Sequence, residues 1–110
     1  MYYHRSLEKP AEPVAVLTLR TVKSGCEESF EAELHDFIAL SLHTEGQLGV
    51  HVLRPEPGSG LREYGIVRRF SDAGFRDRFY RSALFQQWDQ TVEHLTEGEP
   101  QRQELSGLET

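Results

Sequence analysis

The chain has 110 residues, of which 37% are hydrophobic and 27% are charged, a composition typical of one soluble globular domain. Its net charge of −6 at pH 7 argues against nucleic-acid phosphate as a partner and against an anionic membrane surface. The single cysteine, Cys26, excludes a disulfide within one chain and a zinc site built from several cysteines.

The first residues, 1–13, are polar and contain Pro10 and Pro13, which disfavour a helix. We therefore predict a flexible leader over residues 1–13 and one domain over residues 14–108. The leader lacks the apolar core of a signal peptide, and the chain has no run of about 18 apolar residues to span a bilayer. These features predict a cytoplasmic protein whose sequenced segment makes no membrane contact.

A strand and a helix are predicted in the first half of the domain. Val14–Val22 reads VAVLTLRTV and is apolar on both faces near its start, a pattern typical of a strand buried on both sides. After a turn, a helix is expected over Glu27–His43, with Gly46 as the left-handed residue that follows it. The apolar residues of this helix recur at helical spacing: Phe30, Leu34, Phe37, Ile38 and Leu42.

Two further strands are predicted over Leu48–Arg54 and Arg62–Phe70, joined by a Pro/Gly-rich hairpin loop. Alternation along the first of these strands places Val50 and Val52 on one face and His51 on the other. The Gly-rich loop joins two strands rather than a strand and a helix. It therefore lacks the helix N-terminus that a phosphate-binding loop requires.

The last third predicts a helical region that begins at Ser71 or Asp72 and breaks near Arg81–Ser82. Gly98–Pro100 is expected to end this region, and Gln101–Leu105 to form a short, polar fourth strand. The resulting order is βαββαβ, which predicts an α+β, ferredoxin-like fold with an antiparallel sheet and helices on one face. Apolar side chains on the other face predict a homodimer formed sheet against sheet.

Five segments together resemble the antibiotic biosynthesis monooxygenase (ABM) family: VLTLRTV, FEAEL, GQLGVHVLRP, YGIVRRF and FYRSALFQQW. The resemblance covers Val14 to about Leu108 and implies the dimeric α+β barrel form of the ferredoxin-like fold. Family activities include cofactor-free oxidation of aromatic polyketides or quinols, haem degradation and isomerisation of small signalling sugars, so the fold alone does not select a reaction.

The ending EPQRQELSGLET resembles a subgroup in which this domain precedes transmembrane helices. This resemblance leaves two alternatives open. The chain is either a free-standing relative, or the soluble part of a protein tethered to the inner membrane by residues beyond Thr110.

Haem degradation is disfavoured by three positions. The haem-degrading branch uses an Asn on the first strand, a Trp on the second helix and a His further along. Here the Trp and His positions hold Phe79 and Asp89, and the first strand has no Asn. His and carboxylate side chains also show no recognised metal-ligand spacing. We therefore expect neither a cofactor nor a metal.

Cofactor-free oxygenation requires an apolar pocket, a group that removes a proton and a group that stabilises the resulting oxyanion. His51, Tyr64 and Arg68 are the catalytic candidates, and Phe79 and Trp88 are the candidate walls of an aromatic pocket. Each also has a structural interpretation: His51 at a dimer interface, Tyr64 as an ordinary strand residue, and the aromatic residues as core. Arg68 is expected to have a carboxylate partner, because an unpaired buried charge is costly.

Two functions remain open at this point. The first is a cofactor-independent monooxygenase-like protein that acts on a small aromatic or quinol substrate. The second is a non-catalytic domain for binding a small ligand or for dimerisation. The family resemblance favours the first, and the absence of an obvious acid–base pair favours the second.

Overall fold

The computed structural model describes residues 12–106. Most of the predicted leader, and residues 107–110, lie outside this range. The secondary-structure elements are β1 (Val14–Val22), α1 (Glu27–Ser41), β2 (Gln47–Leu53), β3 (Glu63–Phe70), α2 (Ala73–Tyr80), α3 (Ala83–Glu93) and β4 (Thr96–Ser106). None of the helices described is long and apolar enough to cross a membrane.

The four strands form one sheet in the order β2-β3-β1-β4, and every neighbouring pair is antiparallel. This is the sheet order of a ferredoxin-like βαββαβ fold, so the predicted α+β fold class is confirmed. The helical region between β3 and β4 consists of two helices, α2 and α3, which are interrupted at Arg81–Ser82 as predicted.

The helices cover one face of the sheet. On β1 the side chains of Val16, Thr18, Arg20 and Val22 are buried, whereas the alternate residues are half-buried. On β3 the buried residues that point to the helices are Tyr64, Ile66, Arg68 and Phe70. The prediction that β1 is buried on both faces is therefore met on only one face within a single chain.

The short helices begin at capping side chains. The carboxylate of Asp72 accepts a hydrogen bond from the backbone N–H of Phe75 at 2.9 Å, and the Ser82 hydroxyl accepts one from Phe85 at 3.2 Å. Ser82 also donates to the carbonyl of Phe79 at 2.6 Å. One side chain thus starts α3 and binds the end of α2, which explains the sharp break between them.

The fourth strand corrects a prediction. Gly98–Pro100, expected to be a stop, lies inside an eleven-residue strand. Leu19 pairs with Gln101 while Thr21 pairs with Glu97, so the intervening residues form a bulge opposite Arg20. A positive φ of 68° at Gly98 accommodates the bulge, and an edge strand tolerates a proline.

Candidate functional site

A continuous cluster of aromatic rings fills the space between the sheet and the helices. Phe37 and Trp88 stack almost in parallel, with ring centroids 4.6 Å apart and 3° between the planes. Phe30 lies 5.9 Å from Trp88 and 5.0 Å from Tyr64, and Phe79 lies 6.2 Å from Phe37. The cluster therefore links three of the predicted site residues: Tyr64, Phe79 and Trp88.

Arg68 lies inside this cluster and is 3% exposed. Its guanidinium carbon is 4.8 Å from the ring centroid of Phe37 and 4.9 Å from that of Phe79, and it donates a hydrogen bond to the Ser41 hydroxyl at 2.8 Å. The expected carboxylate partner is absent among residues 12–106. Two aromatic faces and one hydroxyl replace it, and burial lowers the pKa of Arg68 to about 10.

Tyr64 lies on the same face of β3, and its ring packs at one end of the aromatic cluster. Its hydroxyl donates a hydrogen bond to the Glu31 carboxylate at 2.5 Å, and the other oxygen of that carboxylate is 3.7 Å from Arg54. Burial and the neighbouring Glu31 raise the pKa of Tyr64 to about 12. Tyr64 is thus a neutral hydrogen-bond donor at physiological pH.

Tyr64 also borders a cavity of about 400 Å³ at the end of the sheet. The first turns of α1 form one side of the cavity, and the hairpin loop between β2 and β3 forms the other. Glu31, Arg54 and Arg62 are among its charged lining residues. This volume falls within the range of small-molecule sites, and Tyr64 and Glu31 supply a donor and an acceptor at its wall.

The two predicted aromatic walls border other cavities. Trp88 and Phe37 line one of about 140 Å³ between α1 and α3, and Phe79 lines one of about 200 Å³ beside α2. Leu84 borders both cavities, so they are neighbours. Arg68 packs against Phe37 and Phe79, one lining residue of each cavity, but lines neither cavity itself.

His51 lies apart from the other candidates. It is exposed on β2 and pairs with Val67 across the strands. Val67 alternates with Tyr64 and Arg68 along β3, so His51 is on the side of the sheet that the helices leave uncovered. The structure thus brings Arg68, Phe79, Trp88 and Tyr64 to one face, and leaves His51 on the other.

Sequence reasoning missed two arginines on the helix-facing side. Arg20, the only charge in VAVLTLRTV, is 4% exposed and binds Asp89 at 2.8 Å. Its guanidinium lies 5.8 Å from the ring centroid of Trp88. Arg102 on β4 lies 4.4 Å from the ring centroid of Tyr80. A charge inside an apolar strand was the available signal for Arg20, whereas Arg102 lies in a polar segment that gave none.

The fold is similar to that of several solved structures. A "putative antibiotic biosynthesis monooxygenase" from Nitrosomonas europaea superimposes with a TM-score of 0.79 at 14% identity, covering 93% of this chain and 96% of that protein. A protein of the same description from Caulobacter crescentus gives 0.79 at 15% identity, covering 97% and 100%. One from Bordetella bronchiseptica gives 0.76 at 22% identity, covering 88% and 98%.

The chain has the ABM fold. The resemblance drawn from the sequence is therefore confirmed at the level of the fold, which is what similarities of 14–22% identity establish. No protein-family model matches the sequence, and no curated protein matches it significantly.

In this ABM fold, the two positions compared with the haem-degrading branch are structural neighbours of the aromatic cluster. Phe79 packs on Arg68, and Asp89 forms an ion pair with Arg20. Both positions are thus in contact with arginines. Within residues 12–106, no three His, Cys, Asp or Glu side chains converge to hold a metal ion.

Proposed function

We propose that this protein is a cofactor-independent monooxygenase-like protein that acts on a small aromatic or quinol substrate. The observation that carries the proposal is Arg68, a buried cation that faces two aromatic rings instead of a carboxylate. A buried charge without a counter-ion is costly, and a substrate oxyanion nearby would offset that cost. The ABM fold supports the same reaction class.

The reaction requires no external reductant. An anthrone-type substrate loses one proton of its ring CH₂ group, and the resulting phenolate-like anion reacts with O₂ at that carbon. One oxygen atom remains on that carbon as a ketone, and the other leaves as water with the two hydrogens of the CH₂ group. The substrate therefore supplies all four electrons, and the protein needs to bind it, remove a proton and stabilise the oxyanion.

We assign these roles to five of the described residues. Arg68 stabilises the oxyanion, and Phe79 and Trp88 bind the aromatic rings. The Glu31 carboxylate accepts the proton, and Tyr64 hydrogen-bonds to that carboxylate and orients it. His51 has no part in this site, because it lies on the other face of the sheet.

Oxygen uptake tests the proposal. An anthrone-type substrate is mixed with the wild type, Arg68→Gln, Tyr64→Phe and Arg69→Gln. Arg69 is the exposed neighbour of Arg68 on the opposite face, so Arg69→Gln makes the same change of charge away from the site. We expect uptake by the wild type and by Arg69→Gln, and a loss of about 100-fold in Arg68→Gln. Uptake at the uncatalysed rate in the wild type would reject the proposal.

A non-catalytic binding domain is the second candidate. It is favoured by the division of the lining residues, because Tyr64 borders one cavity while Phe79 and Trp88 border two others. Thermal stabilisation by small aromatic ligands, without oxygen uptake, would support this second function over the first.

We also propose that the protein is a homodimer formed through the uncovered side of the sheet. We call Leu17, Leu19, Leu53 and Val67 the open-face cluster. Leu17, Leu19 and Leu53 surround Gly65, within 3.7 Å of the point where a Cβ atom would lie, and Val67 is the cross-strand partner of Leu17. Leu53 is 53% exposed in the single chain. A second copy of the sheet would bury this apolar surface.

A further inference from the structure

Three arginines surround Thr18 on the helix-facing side of the sheet. Arg20 lies two residues further along β1, and Arg102 is the cross-strand partner of Thr18 on β4. Arg68 on β3 pairs with Val16, which makes it a diagonal neighbour of Thr18. On one face of a sheet, the Cβ atoms of direct and diagonal neighbours lie about 5–8 Å apart, so Arg102 and Arg68 both lie close to Thr18, on either side of β1. We call Arg20, Arg68 and Arg102 the arginine triad.

Tyr80, the last residue of α2, lies over the triad. Its ring centroid is 4.4 Å from the guanidinium carbon of Arg102. Burial raises the pKa of Tyr80 and outweighs the opposing positive charges of the triad. The phenol is therefore protonated at neutral pH and can donate a hydrogen bond.

The three positive charges of the triad have fewer acidic partners than would neutralise them. Within residues 12–106, the triad forms one ion pair with a carboxylate, between Arg20 and Asp89 at 2.8 Å. Arg20 and Arg68 are 4% and 3% exposed, and Nε of Arg20 lacks a hydrogen-bond partner in the same part of the chain. This local excess of positive charge lies inside a protein whose net charge is −6. Burial of such an excess is unfavourable, and an anion would relieve it.

One member of the triad, Arg102, can be reached from solvent along the edge of the sheet, whereas Arg20 and Arg68 are buried. Arg102 is exposed on the edge strand β4, and the neighbouring rings of Tyr80 and Phe85 are half-buried. The guanidinium of Arg102 lies 5.8 Å from the ring centroid of Phe85. An aromatic ligand at this edge can pack against these rings while its charged group contacts the guanidinium.

We propose that the arginine triad and the Tyr80 hydroxyl form an oxyanion site, which binds an aromatic ligand through a phenolate or carboxylate group. Charge-assisted hydrogen bonds from guanidinium and phenol favour an ionised ligand over its neutral counterpart. The inference rests on the proposed function, because it names the ionic form in which the aromatic substrate binds. The inference can be tested by ligand binding alone, without catalytic turnover.

4-Nitrophenol is the probe, because its ionised form is coloured and its neutral form is not. The protein is titrated with it over a range of pH, and the pKa of the bound phenol is read from absorbance. We expect binding to lower the ligand pKa by about one unit, which corresponds to a tenfold preference for the phenolate. Benzoate should likewise displace the probe more effectively than neutral benzamide. Equal affinity for the two ionic forms would overturn the proposal.

Three variants test whether the preference for phenolate arises at the arginine triad and Tyr80. Tyr80→Phe keeps the ring and removes the donor, and should reduce the preference for phenolate about threefold. Arg102→Gln changes an exposed residue and should reduce it about fivefold. Arg69→Gln, with the same change of charge on the opposite face, should leave it unchanged. Equal losses in Arg69→Gln and Arg102→Gln would show an effect of net charge and reject the site.

The experiments can reject the monooxygenase function and the oxyanion site independently of each other. A retained phenolate preference without oxygen uptake would reject the monooxygenase function and leave the oxyanion site standing. Oxygen uptake without any phenolate preference would reject the oxyanion site and leave the monooxygenase function standing.

Discussion

At the scale of single residues, burial acts on Tyr64 and Arg68 in opposite directions. Both point to the helices from β3, four residues apart. Burial raises the pKa of Tyr64 to about 12 and lowers that of Arg68 to about 10. Tyrosine is charged when it loses a proton and arginine when it holds one. The same desolvation therefore favours the neutral form of each.

Tyr64→Phe should change the pH dependence of stability. At pH 8 we expect a loss of about 1 kcal/mol, because Glu31 loses its hydrogen-bond donor. The folded pKa of Tyr64 is raised above the unfolded value of 10.0, so its contribution is complete below pH 10 and is lost as the pH rises to 12. Urea unfolding of both proteins across this range should show the difference shrinking. A constant difference would contradict the prediction.

Arg68→Met tests the cost of the buried cation. We expect the variant to be as stable as the wild type, or more stable by about 1 kcal/mol, because methionine of similar length removes an uncompensated buried charge. Arg20→Met is the matched control, and should be destabilising because it removes the partner of Asp89. Denaturant midpoints measure both variants. If Arg68→Met were the less stable of the two, the ring contacts would outweigh the desolvation.

At the scale of elements, local sequence explains where helices begin and distant pairing explains where strands run. Asp72 and Ser82 cap α2 and α3 with hydrogen bonds to residues three positions ahead. Such contacts can be read from the sequence. The length of β4 depends instead on pairing with β1, about 80 residues earlier in the chain, and the turn-forming Gly98–Pro100 became a bulge within it.

Gly46→Ala should destabilise the junction between α1 and β2. Gly46 has a φ of 85°, as expected from its predicted position, and an added Cβ would lie 2.2 Å from the ring of Phe75. We expect a loss of about 2–4 kcal/mol from backbone strain and overpacking. Gly98→Ala shares the positive φ of 68° but meets no atom within 4 Å. It should cost about 1 kcal/mol in urea unfolding, and equal losses would exclude the contact with Phe75 as the cause.

At the scale of the whole molecule, the helices leave one side of the sheet uncovered. The open-face cluster lies on that side, and Leu105 on β4 pairs with Ala15 at its edge and is 41% exposed. Contiguous apolar surface is uncommon on monomers. His51 lies on the same side, so a dimer would place it at the interface and away from Arg68.

Leu53→Lys should dissociate the proposed dimer. A lysine in the open-face cluster would bury an unpaired charge between two sheets. Leu40→Lys is the matched control, because Leu40 is similarly exposed, at 59%, but lies on α1. Light scattering at micromolar concentration should give twice the chain mass for the wild type and Leu40→Lys, and the chain mass of 12.6 kDa for Leu53→Lys. A wild type of 12.6 kDa would reject the dimer.

The order of the elements, the ferredoxin-like fold and the break between the last two helices followed from the sequence alone. Hydrophobic periodicity and capping residues act over a few positions, so they are visible before the chain folds. The partner of Arg68, the cavity beside Tyr64 and the grouping of Arg20, Arg68 and Arg102 around Thr18 were decided only by the tertiary structure. These contacts depend on the register between strands far apart in the chain and on how α1, α2 and α3 pack over them, and no local pattern encodes either.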